Sequence, residues 1–127
     1  MPHEVEGISH LDAKELKARL DDKNDRTLVI DVREVEEYVE GHIPNVPLIP
    51  MGDFIDIIDQ FDKDREYVFV CRSGRRSLEV AKFFKNNGIE NVHNYAGGML
   101  EWEDEIAKGP ERVITTFSMD QIERKDA

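Results

Sequence analysis

Cys71 is the single cysteine of the chain, and it heads the segment Cys71-Arg72-Ser73-Gly74-Arg75-Arg76-Ser77. An apolar run, Tyr67-Val68-Phe69-Val70, ends at its sulfur, and a helical pattern begins directly behind the turn. Three features of this arrangement stabilise sulfur as an anion. A short glycine-containing turn aims backbone N–H groups at one point, the helix that follows presents the positive end of its dipole, and arginine side chains add full charge. The anion is the nucleophile, so the chemistry expected here is attack by a reactive thiolate. A lone cysteine has no resolving thiol within the chain. A persulfide or sulfenic acid formed on it must be resolved by a separate molecule.

The surroundings of this segment sharpen the expectation. The chain has 127 residues, 28 acidic and 17 basic, for a formal net charge of −11. Nucleic acid and anionic membranes are therefore not expected as partners. Residues 71–77 carry three arginines and no acid, a cationic spot on an acidic protein that suits a small anionic substrate. One cysteine excludes an internal disulfide and fits a reducing compartment. No apolar run is long enough for a membrane span. Met1-Pro2-His3-Glu4-Val5-Glu6 lacks the basic and then apolar regions of a signal peptide. Together these point to a cytoplasmic location. The four histidines (His3, His10, His42, His93) have no metal-ligand spacing, so no metal is assigned.

The elements that must position the cysteine follow from pattern. Asp12 and Glu15 form a capping box, with Leu11 stapled onto Leu16, and start a helix continued by Leu20. Residues 27–31 form a buried strand, 34–40 a short helix closed by Gly41, and the prolines of 42–47 impose a loop. A brief strand is expected at 46–49. Phe54, Ile55, Ile57, Ile58 and Phe61 predict a helix over 52–61. Residues 67–70 are the next strand, and 75–87 a helix ending before Gly88. Residues 91–95 form another strand, and 99–107 a helix with Trp102 and Ile106 on one side. Strands alternating with helices imply a parallel α/β sheet covered on both faces, with ligands bound beyond the carboxyl ends of the strands, where Cys71 lies. After Gly109-Pro110, the apolar residues Val113, Ile114, Phe117, Met119 and Ile122 either fold back onto the domain or pack on a second subunit. The pattern does not fix the oligomeric state.

Four motifs in order carry a resemblance. Asp31-Val32-Arg33 with Glu37-Tyr38, Gly41-His42-Ile43-Pro44, the loop 71–77, and Tyr95-Ala96-Gly97-Gly98-Met99 with Trp102 resemble the single-domain rhodanese-like sulfurtransferases. The resemblance covers residues 5–107 and leaves 108–127 as a C-terminal extension with no assigned role. It implies an α/β fold, a three-layer domain with a central, mainly parallel β-sheet flanked by helices. It also implies sulfur transfer through a Cys71 persulfide, from a donor such as thiosulfate to an external thiol, a sulfur-acceptor protein or cyanide, with no cofactor. In that reading backbone amides from Arg72 to Ser77 surround the sulfur. Gly74 permits the turn, and Arg72, Arg75 and Arg76 attract an anionic donor. Ser73 or Ser77 either bonds the sulfur or caps the helix. Arg33 is expected to hold loops in place, paired with Glu37. His42 is read as a structural loop residue and Trp102 as core.

Two rivals are weighed. A cysteine phosphatase or arsenate reductase places five residues between Cys and Arg. Here Arg76 follows four, and Ser77 holds the next position, so the loop is one residue short. A non-catalytic interaction or regulatory module of the same family is the second rival. Such copies often lack the cysteine that this chain keeps.

Overall fold

The chain opens with two short strands, β1 (His3–Val5) and β2 (Ile8–Leu11), joined at Glu6 and Gly7. Both turn residues have positive φ, 54° and 80°, the combination whose twist matches an antiparallel hairpin. The computed structural model describes residues 3–125. Met1 and Pro2, part of the N-terminal reading, and Asp126 and Ala127, the end of the extension, lie outside the described residues.

Asp12 then caps α1 (Ala13–Asp21), with its carboxylate accepting from the Glu15 amide and the Glu15 carboxylate accepting from the Asp12 amide. The chain crosses to β3 (Leu28–Asp31) and α2 (Val35–Glu40) and returns through β4 (Tyr67–Val70), α4 (Arg75–Asn86), β5 (Val92–Tyr95) and α5 (Gly98–Glu101). Between β3 and β4 lies α3 (Phe54–Ile57), flanked by single 3-10 turns. The sheet order is β1-β2-β5-β4-β3, parallel throughout except for the β1–β2 pair. This is the expected mixed, mainly parallel sheet flanked by helices. Cys71 follows β4, which lies between β5 and β3.

Period-two alternation divides the core between the faces of the sheet. Leu28, Ile30, Tyr67, Phe69, Cys71 and Val92 pack with Phe54, Phe61 and Phe84 on one side. Val29, Val68, Val70 and Tyr95 pack with Leu11, Leu16 and Ile43 on the other. Both faces are covered, which is why β3 and β4 are buried at every position. No helix among the described residues is long and apolar enough to cross a membrane.

The hairpin at residues 3–11 adds to the elements read from the sequence, and three expectations need correction. The helix expected over 52–61 is three short pieces, and Ile55 is 71% exposed. Isoleucines and aspartates there are weak helix formers, and burial of Phe54 and Phe61 sets the path instead. The helix expected to reach Ala107 stops at Glu101. Glu101, Glu103, Asp104 and Glu105 would have crowded like charges at the negative end of its dipole. The strand at 46–49 shrinks to one bridging residue, Leu48, between Asp31 and Val113.

The C-terminal extension folds back onto this same domain. Ile122 is buried, Phe117 stacks on Phe61 at 4.3 Å, and Ile114 and Met119 pack on the Phe54–Phe84 side. Arg112 donates to the carbonyls of Asn45, Gln121 and Glu123. Arg124 donates to those of Arg19, Leu20, Asp22 and Asp25, at and beyond the end of α1.

Candidate active site

The last residue of β4 delivers Cys71 to the N-terminus of α4, and the turn between them curls around the sulfur. Sγ accepts from the Gly74 amide at 3.1 Å and from the Ser77 amide at 3.4 Å. The Ser77 hydroxyl lies 3.2 Å from it. Gly74 is the residue before the helix, at φ 87°, where a side chain is strained in any case. A Cβ there would come within 2.0 Å of the Ala96 carbonyl oxygen. Gly98, at φ 62°, meets the loop from the other side, where a Cβ would lie 2.3 Å from the Arg72 carbonyl oxygen. The two glycines let the backbones of 72–74 and 96–98 press together. Amides of Met99 and Leu100 then clamp the carbonyls of Cys71 and Arg72 at 2.9 and 3.0 Å.

Cys71 is only 1% exposed and forms part of the aromatic side of the core. Burial alone pushes a thiol up. Here hydrogen bonding with the Ser77 hydroxyl and with the amides of Ser77 and Gly74 outweighs it, and the thiol sits below its ordinary value. Among the described residues, the Gly74 and Ser77 amides are the ones within hydrogen-bond distance of Sγ. The expected ring of six amides closes on sulfur through fewer.

The structure separates the three arginines. Arg72 and Arg75 are exposed. Arg76 is partly buried and makes a two-pronged pair with Glu37 of α2, at 2.7 and 2.8 Å. That guanidinium holds the Glu37 carboxyl down at about 2. Arg33 therefore does not pair with Glu37. Its guanidinium grips Asp31 at 2.8 to 3.1 Å and donates to the Gly41 carbonyl at 2.8 Å. This pair is buried and ties the end of β3 to the turn after α2. His42 stacks on Tyr38 at 3.7 Å and bridges the Tyr38 carbonyl and Glu111. Trp102 packs edge-on to Tyr95 beside the Leu11 and Leu16 cluster.

The two serines part ways. Gly74 occupies the cap position, and Ser77 lies in the first turn of α4 with its hydroxyl at the sulfur, while Ser73 is exposed. One residue at the site escaped the sequence reading. Asn94 of β5 accepts from the Ser77 hydroxyl and donates to the Gly74 carbonyl at 2.9 Å. The available signal was β5 alternation, which puts Asn94 on the same face as Val92 and the α4 side of the core.

Comparison with known proteins identifies the family. Residues 12–105 match the family described as "Rhodanese-like domain". YtwF of Bacillus subtilis, which carries a provisional sulfurtransferase name, is 43% identical over 98 residues, covering 77% of this chain and 93% of YtwF. A sulfurtransferase of Allochromatium vinosum is 33% identical over 95 residues, 75% of this chain and 88% of that protein. The crystal structure of a rhodanese-like domain protein from Staphylococcus aureus superposes with a TM-score of 0.70 at 37% identity, covering 78% of this chain and 96% of that one. A lone cysteine cradled between a central parallel strand and a helix, with these similarities over three quarters of its length, places the chain in the rhodanese-like family.

Proposed function

We propose that the protein is a sulfurtransferase that carries sulfane sulfur as a persulfide on Cys71. Family membership supports sulfur transfer in general. The cradle of Gly74 and Ser77 amides and the Ser77 hydroxyl around Sγ supports this cysteine as its carrier. In the first half-reaction the Cys71 thiolate attacks the outer sulfur of a donor such as thiosulfate. A new S–S bond forms, the donor's own S–S bond breaks, and sulfite leaves with the electron pair. In the second, an acceptor thiolate or cyanide attacks the outer sulfur, and Cys71 departs as thiolate. No general base is needed, because the leaving groups are stable anions and the thiol ionises readily. Amides in the first turn of α4 lack intrahelical partners, so those of Arg75 and Arg76 remain to receive the added sulfur. Exposed Arg72 and Arg75 suit the approach of an anionic donor. The acceptor is external, since the chain holds no second cysteine.

Among the rivals, phosphatase chemistry is poorly served, because the loop is short and Arg76 is already engaged by Glu37. A purely binding role leaves the cradled, acidified sulfur unexplained. Intact mass spectrometry after thiosulfate treatment decides. The expected result is a gain of one sulfur atom, lost on adding thiol and absent in Cys71→Ser, together with thiosulfate:cyanide sulfurtransferase activity that the variant lacks. Wild type and variant equally inert to thiosulfate, polysulfide and mercaptopyruvate would favour the binding module.

A further inference from the structure

Asn94 is a neutral amide sunk in an apolar layer, 1% exposed, a placement that costs free energy unless every polar atom is bonded. It lies directly across from Phe69 in the β4–β5 register, two residues before Cys71 on the same face. Its Nδ2 donates to the Gly74 carbonyl at 2.9 Å. The opposite amide orientation would set oxygen against oxygen there, so Gly74 fixes which atom faces Ser77. That atom is Oδ1, which can only accept.

Ser77, itself fully buried, has one hydroxyl proton and two claimants for it. Oδ1 of Asn94 takes it in this structure, and Sγ of Cys71 lies 3.2 Å away on the other side. While Cys71 is a thiol the chain of donors closes. Its S–H gives to the Ser77 oxygen, and the Ser77 O–H gives to Asn94. When sulfur ionises its proton leaves for water, and the anion demands a donor. The Ser77 hydroxyl must then turn to sulfur, leaving Oδ1 buried without a partner, which opposes the change.

We propose that Asn94 is a positioning residue acting through Ser77, whose carbonyl oxygen competes with the Cys71 sulfur for the one hydroxyl proton and so restrains formation of the anion. The cradle and Asn94 thus act in opposite directions on the same atom. The charged groups around the loop are Arg72, Arg75 and Arg76 on the turn and α4, Glu37 of α2 on Arg76, the Asp31–Arg33 pair at the end of β3, and Glu6, His10 and Glu79 on the outer side of the turn. None of these is altered below.

The inference rests on reading Cys71 as a nucleophile but not on any sulfur donor, so its test uses none. The rate of iodoacetamide alkylation of the full chain is followed against pH in wild type, Asn94→Ala, Ser77→Ala and the double variant. Asn94→Ala is expected to move the midpoint to lower pH and to speed alkylation roughly three- to tenfold below it, about the worth of one hydrogen bond. Ser77→Ala is expected to move it higher, and in that background Asn94→Ala should change nothing. Asn94→Asp also loses the Gly74 tether but keeps an acceptor, and should move the midpoint upward. Asn94→Ala raising the midpoint, or acting equally with and without Ser77, would overturn the proposal and reduce Asn94 to a tether for the turn. Absence of sulfur transfer alongside this pattern would sink the proposed function alone.

Discussion

Two parts of the molecule solve mirror-image problems. Around Cys71, backbone N–H groups converge on a side chain that becomes negative. In the C-terminal strap, backbone carbonyls converge on side chains that are already positive, four on Arg124 and three on Arg112. Both use helix ends. The sulfur sits at the amide-rich start of α4, and Arg124 takes carbonyls at the end of α1 that have no partner within the helix. The consequences differ. A guanidinium stays charged at any physiological pH, so its carbonyl nest is a permanent fastening. A thiol changes charge near neutrality, so its amide nest sets a reactivity. The arginines of the strap meet carbonyls, whereas Arg72 and Arg75 are exposed.

Gly74→Ala tests this contrast hardest. The new Cβ would collide with the Ala96 carbonyl, and the backbone would leave φ 87°. The turn must open, withdrawing amides from sulfur. Sulfur transfer is expected to fall on the order of 100-fold, as when a charge-stabilising donor is removed, with a strain cost of about 1–3 kcal/mol. Kinetics with thiosulfate and a urea melt measure the two. Near-normal activity would mean the nest is not what activates Cys71. Arg124→Met is the counterpart. It should lower stability by about 1–3 kcal/mol through carbonyls left unpaired and leave kcat/KM nearly untouched. Lost activity at unchanged stability would make the strap part of the site.

What could be read from sequence divides along similar lines. Local chemistry was legible: the capping box at Asp12 and Glu15, the buried runs of β3 and β4, and the helical stripe of α4 each carry their cause within a few residues. The β1–β2 hairpin was not, because its strands are too short to show alternation and Glu6 is an unusual residue for a left-handed turn position. Glu37 could face Arg33 four residues back or Arg76 in α4, and only tertiary packing chooses. Asn94 carried only the β5 alternation that sets its face, since its role depends on the register that places it across from Phe69.

Glu37→Gln is the finest test, because it changes one charge without touching the nest. Glu37 now neutralises Arg76 at the mouth of the site. Removing its charge while keeping its shape should free that guanidinium, and KM for thiosulfate should fall roughly two- to fivefold, an advantage that added salt erodes. The same substitution has a pH signature. The paired carboxyl lies at about 2 in the folded protein, below the 4.5 of a free glutamate, because Arg76 bonds it. A lowered carboxyl stabilises the fold fully above 4.5 and loses that contribution as pH falls toward 2. Wild type should therefore show a steeper stability slope in that window than the glutamine variant, which keeps the contributions of Glu66, Glu111 and Glu123. Glu37 is partly exposed, so the slope is shallow. A KM that rises in Glu37→Gln would show that the acid aims Arg76 at the donor instead of cancelling it.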